Sequence, residues 1–281
     1  MLAFGQFVSS SYALATVACW GVSDFLGGYT ARRFQPFFLA GLGHLAGTIY
    51  VAILAVAGHQ PLPPMWHLAW AAVGGACGGF GLGFFYRALA QGSMGLTAPI
   101  SAVLGAAIPA IFALFTRGAP RPLAILGFAF ALVGIWLISR PEGGGRAEGL
   151  SLAVVAGLGF AGFYIFMDLA GTGAAFWLAT ASRASALVVT AIVVLAGCKF
   201  SPTYPAGFGL GILAGCIDVS GTVLFIRAAQ TGRLDTAVIL SSLYPTITVL
   251  LARILLKEHF TRWKAVGVVA ALAAVPLITA G

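Results

Sequence analysis

The chain has 281 residues, 60% of them hydrophobic and 8% charged, with a mean hydropathy of +1.01. A soluble domain carries about a quarter charged residues, so a water-covered globule is excluded and an integral membrane protein remains. The net charge of +8 is not a nucleic-acid signal, because Lys and Arg stand mostly at the ends of apolar runs, where they anchor helices and set orientation.

The runs are long and unalternating, which selects helices over the roughly ten-residue alternating segments of a β-barrel. Ten spans are predicted, over 10–29, 36–57, 66–89, 95–115, 122–139, 150–170, 174–197, 206–229, 235–256 and 263–280. The opening MLAFGQFVSS lacks the basic start of a signal peptide, so the first run is expected to be an uncleaved span. In span 1, WGVSDFLGG carries Trp20 and Asp24. Asp24 reads equally as a cavity-lining group and as a cap near the interface. Span 2 carries His44, a packing residue on the plainer view and a proton relay on the other, since free imidazole titrates near a pKa of about 6.5. Span 3 contains GGACGGFGLG, 74–83, whose small residues four apart permit close helix approach. Tight packing within one subunit is the first expectation there, with a dimer seam or a cavity as alternatives.

Tyr86 near the end of span 3 and Trp177 near the start of span 7 fit interfacial belt positions, and Tyr86 is also retained as a site candidate. Pro99, Pro109 and Pro245 kink spans 4 and 9 and free carbonyls. Ser241, Ser242 and Tyr244 precede Pro245 and are candidates to line a site. Asp168 closes span 6 as an interfacial residue. Arg183 stands about nine residues into span 7, and Asp218 about eleven from the same face in span 8, or roughly 13 and 17 Å of depth. An intramembrane charge costs about 2.5–3.5 kcal/mol on insertion scales. Asp218 is therefore the leading candidate for a substrate or proton site, and Arg183 its natural ion-pair partner. Cys19, Cys77, Cys198 and Cys216 are scattered singly, so neither a disulfide framework nor a metal cluster is suggested. No cofactor is expected.

The chain also repeats itself. YRALAQGSMGLTAPISAVLG from Tyr86 aligns with IRAAQTGRLDTAVILSSLYP from Ile226. Arg87 meets Arg227, Gly92 meets Gly232 and Ser101 meets Ser241. Gly75 meets Gly215, Gly81 meets Gly221 and Gly127 meets Gly267, all at an offset of 140 residues without a gap. RPEGGGRAEG, 140–149, reads as an exposed join. The expected organisation is a first five-helix repeat over 1–140, a linker over 141–149 and a second five-helix repeat over 150–281. Five is odd, so the second half enters from the opposite side. The fold class is all-α, ten transmembrane helices as two inverted repeats, an architecture characteristic of secondary transporters with a midplane site. A channel would want a ring around a continuous pore, which two repeats in one chain do not obviously supply. No GxSG elbow, GxGD pair or nucleotide-binding loop is present, so an enzyme or ATP-driven pump is not expected.

WGVSDFLGG (20–28), YRALAQG (86–92) with APISAVLG (98–105), and SSLYPTITVLLARILLKEHFTRWKAVG (241–267) resemble EamA-type ten-span transporters of the drug/metabolite transporter superfamily. Lys257-Glu258 stands where Gly-Glu is usual, and Arg117-Gly118 replaces it in the first half. The resemblance implies an exporter of small metabolites such as amino acids or drug-like compounds, working by alternating access in a bacterial inner membrane. A channel or facilitator without ion coupling is the alternative. The expected partners are a small-molecule substrate and lipids, with protons as candidate coupling ions and the chain as monomer or homodimer. The resemblance also implies that both termini are inside. The positive residues favour the reverse, since Arg32, Arg33, Arg87, Arg140, Arg146, Lys199, Lys257, Arg262 and Lys264 share the face opposite the amino terminus.

Overall fold

The computed structural model describes residues 2–90, 94–138, 150–197, 206–255 and 261–280. The linker 141–149, Gly92, Arg140, Cys198, Lys199 and the Lys257-Glu258 pair lie outside these residues, as does the side chain of Pro99. The first repeat contributes α1 (Leu2–Ala31), α2 (Pro36–Ala57), α3 (Met65–Ala90), α4 (Met94–Arg117) and α5 (Pro122–Ile138). The second contributes α6 (Leu150–Leu169), α7 (Ala175–Gly197), α8 (Ala206–Thr231), α9 (Leu234–Ser241), α10 (Tyr244–Leu255) and α11 (Arg262–Ala280). The chain is an all-α membrane protein of ten transmembrane helices in two inverted five-helix repeats, with α9 and α10 forming the halves of the ninth span. Pro36–Ala57, Met65–Ala90, Ser151–Leu169, Ala175–Gly197, Ala206–Thr231 and Leu234–Leu255 are each long and apolar enough to cross a bilayer.

Two elements differ from the sequence expectation. Helix α1 starts at Leu2 rather than 10, because its polar residues find partners on the second repeat. Gln6 donates to Thr236 Oγ1 at 3.2 Å, and Ser9 donates to the Ala228 carbonyl at 2.8 Å. The ninth span is interrupted at Ser242-Leu243. Pro245 has no N–H and its ring crowds the carbonyl four residues back, which is that of Ser241. Tighter turns close the gap instead, with Leu243 N donating to Leu240 O at 3.1 Å and Thr246 N to Leu243 O at 3.0 Å.

The repeats exchange partners. Helix α1 packs along α8, and its counterpart α6 packs along α3. Likewise α2 crosses α8 while α7 crosses α3, and α5 lies against its own counterpart α11. The core is therefore built between the repeats rather than within each one.

At the amino-terminal end of the bundle the loops are tied together. Arg117 at the end of α4 pairs with Asp168 at the end of α6. Arg233 pairs with Asp235 at 2.7 Å and donates to the carbonyls of Gly118 at 2.8 Å and Arg117 at 3.4 Å. Hydrogen bonding to Asp235 raises the Arg233 guanidinium above its already high ordinary value, so its charge is permanent. Gln230 donates to the carbonyls of Gly171 and Gly173, and Trp177 donates to Gln60 O at 2.9 Å. Loops α2–α3, α4–α5, α6–α7 and α8–α9 are thereby linked on one face.

Candidate functional site

Midway through the bundle, α1, α3, α6, α7, α8 and α10 surround a cavity with about 550 Å³ of atom-free space, part of it open to solvent. Gly75, Gly78 and Gly79 of α3 line it, and a Cβ on any of them would press on α6 or α7, so these glycines let the walls approach closely. Asp218 of α8 and Arg183 of α7 line the cavity and meet, Oδ2 to Nη1, at 2.6 Å. Both side chains are largely buried. Arg183 is held at other points as well. Its Nη2 donates to Thr222 Oγ1, and its Nη1 faces His44 Nδ1 at 3.4 Å. A guanidinium can only donate, so Nδ1 is the acceptor and the imidazole proton sits on Nε2. That Nε2 and Arg183 Nε are buried with no hydrogen-bond partner among the described residues. The main chain is fixed too, since Trp20 Nε1 donates to the Asp218 carbonyl at 3.2 Å.

Thr222 is one helical turn beyond Asp218, on the same face, and returns its own hydrogen bond to the Asp218 carbonyl at 3.3 Å. Thr222→Val keeps the shape and strands one guanidinium N–H. The expected cost is about 1–3 kcal/mol, read as a fall in Tm of the purified protein. Thr222→Ser should restore most of it. A valine variant that melts with the wild type would show that this bond contributes nothing.

Asp24 also lines the cavity and is only 8% exposed. Among the described residues no hydrogen bond or ion pair reaches its carboxyl. Asp218, Tyr164 and Tyr244 line the same space. Trp20 organises the apolar wall. Its ring centroid lies 5.9 Å from Tyr164, 6.3 Å from Phe163, 5.7 Å from Phe225 and 6.3 Å from Tyr244. A second, smaller recess of about 260 Å³ adjoins the first, sharing Leu82 and Asp218. It is bordered by His44, Tyr86, Leu39, Ala40 and Gly211, and runs toward the end of the bundle away from the tied loops.

The candidates from sequence thus fall into groups. Asp218, Arg183 and His44 form one contact chain, with Asp24 across the same space. Tyr244 lines the cavity, and Ser242 is buried beside it at the break in span 9. Ser241 Oγ is buried without a partner among the described residues at the break in span 9. Tyr86 is not a belt residue: it is buried in the recess, its ring packed over Gly27, because α3 extends past it and α1 covers it. Asp168 and Trp177 stand at the bundle end, bonded to Arg117 and Gln60. Tyr164, Phe163, Phe160 and Thr222 belong to the site but did not stand out in the sequence. The repeat offset pointed to two of them, since Tyr164 lies 140 residues after Asp24 and Phe160 lies 140 after Trp20. No group of His, Cys, Asp or Glu suited to a metal ion occurs among the described residues.

The EamA-like transporter family matches the sequence twice, over residues 9–140 and 147–280. A protein of known crystal structure shares the fold at a TM-score of 0.80 and 13% identity, over 96% of this chain and 98% of that one. No curated protein matches the sequence.

Proposed function

Since the chain belongs to the EamA-like transporter family, we propose that it is a secondary carrier that exports small metabolites, such as amino acids or drug-like compounds, by alternating access. The observation that carries this reading is the cavity between the repeats, where Asp218, Arg183 and Asp24 converge at a depth that ordinarily excludes charge. His44 and Thr222 orient Arg183, while Tyr86, Tyr244, Ser241 and Ser242 shape the walls. The functional units are the repeats 1–140 and 150–281 joined by the linker 141–149. The tied loops at the amino-terminal face support a state closed on that side, with the recess beyond Asp218 leading to the other. With both termini inside a bacterial inner membrane, that state faces outward. Protons are the proposed coupling ion, exchanged at Asp218.

The test is Asp218→Asn in proteoliposomes. Uptake driven by a pH gradient should be abolished while substrate exchange persists. If the residue binds substrate without exchanging protons, both modes should fall together with affinity. A folded variant with wild-type uptake and an unchanged pH profile would leave the Arg183 pair as a purely structural feature.

A further inference from the structure

The cavity holds two carboxyl groups and one guanidinium, and the carboxyls are not equivalent. Arg183 is committed to Asp218, with Thr222 and His44 completing its surroundings. Asp24 has no such partner among the described residues, although it is buried and lines the same space. Pairing therefore leaves one carboxyl without a counter-charge. Around it the walls are aromatic. Tyr164 and Tyr244 line the same cavity, and Trp20, one helical turn before Asp24, stands edge-on to Tyr244 and tilted on Tyr164. The faces of such rings attract cations, and the attraction grows when water is excluded.

Resting on the carrier reading above, we propose that this site selects organic monocations, with the cationic nitrogen held at Asp24 inside the box of Trp20, Tyr164 and Tyr244. A monocation supplies the counter-charge against which the Asp24 carboxyl can ionise. A zwitterion brings no net charge and must divert Arg183 from Asp218 to seat its carboxylate. An anion supplies no counter-charge to either carboxyl. A bare alkali ion would exchange its water shell for ring faces and a single carboxyl, a poor trade for a strongly hydrated ion.

The experiment compares three probes with one ring each: benzyltrimethylammonium, phenylalanine and phenylacetate. Equilibrium binding of radiolabelled probe is measured on the purified full chain, and counterflow is measured in proteoliposomes. Benzyltrimethylammonium is expected to bind at least tenfold more tightly than the other two. Asp24→Asn should weaken it tenfold or more, and Asp24→Glu should restore most of the affinity. The elution profile of each variant reports that it is folded, and Asp24→Glu carries the test should the asparagine variant misfold. Equal binding to the wild type and Asp24→Asn would overturn the proposal. So would phenylalanine binding as tightly as the cation, or displacement of the cation by sodium ions rather than by other organic cations. If phenylalanine or phenylacetate shows counterflow and the cation does not, the charge preference falls and the carrier reading stands. If no solute of any charge moves, the carrier reading falls with it.

Discussion

Arg183→Ala is expected to destabilise the protein by about 3–5 kcal/mol, the range found when one member of a buried ion pair is removed. The cause is not the lost attraction alone. Asp218 would remain in the cavity wall with its counter-charge gone, its main chain still pinned by Trp20 and its side chain largely buried. His44 would lose its neighbour at Nδ1 as well. The companion experiment is the double variant Arg183→Ala/Asp218→Ala. Removing both charges together removes the unpaired carboxylate, so the double variant should be more stable than Arg183→Ala alone. The measurement is denaturant unfolding of purified protein, combined as a double-mutant cycle. Strictly additive costs would mean that the two side chains do not stabilise one another, and the 2.6 Å contact would then be geometry without energetic consequence. Transport should be lost in both variants, which separates the pair's role in stability from its role in the site.

Much of this arrangement was legible in the sequence. Charge is so costly in a bilayer that Asp218 and Arg183 stood out by rarity, and a rise of about 1.5 Å per residue was enough to set them at one depth. The repeat was legible because Gly75, Gly81 and Gly127 recur at 215, 221 and 267; at Gly75, Gly127, Gly215 and Gly221 a Cβ would run into a neighbouring helix. Other parts were hidden for a physical reason. Lipid and protein core are both apolar, so hydropathy does not tell Tyr164 or Phe163 in the cavity wall from Phe115 or Phe130 on the outside. Tyr86 misled in the same way: an aromatic ring near a helix end fits a membrane interface, and only the packing of α1 against α3 shows it buried over Gly27. The break before Pro245 was anticipated as a kink, but the burial of Ser241 Oγ without a partner among the described residues depends on how neighbouring helices pack around the break, which local sequence does not carry.

Alanine at Gly75 or Gly215 is expected to be nearly as damaging as loss of the ion pair. A Cβ on Gly75 would run into the main chain of Ser182, and a Cβ on Gly215 into the main chain of Gly43. The two glycines are 140 residues apart, so the same crossing is used twice, α3 over α7 and α8 over α2. In each case the obstacle is backbone, and no rotamer change can relieve it. The helices must separate. Overpacking costs about 1–3 kcal/mol where side chains can adjust, and a rigid wall puts these sites at or above the upper end. Separation also has a functional effect. Ser182 precedes Arg183, so pushing α7 away from Gly75 draws the guanidinium off Asp218. The effect of a single added methyl should therefore include weaker substrate binding, and Gly75→Ala should lose transport even at temperatures where it stays folded. Gly209 supplies the control, because nothing lies within 4 Å of a Cβ built there. Gly209→Ala in the same helix as Gly215 should be neutral or slightly stabilising, since alanine is the better helix former by about 1 kcal/mol. Melting temperature and elution profile of the three variants decide the matter. If Gly75→Ala and Gly215→Ala melt with Gly209→Ala, the helices have room to spare at both crossings and the close approach is not what holds the two repeats together.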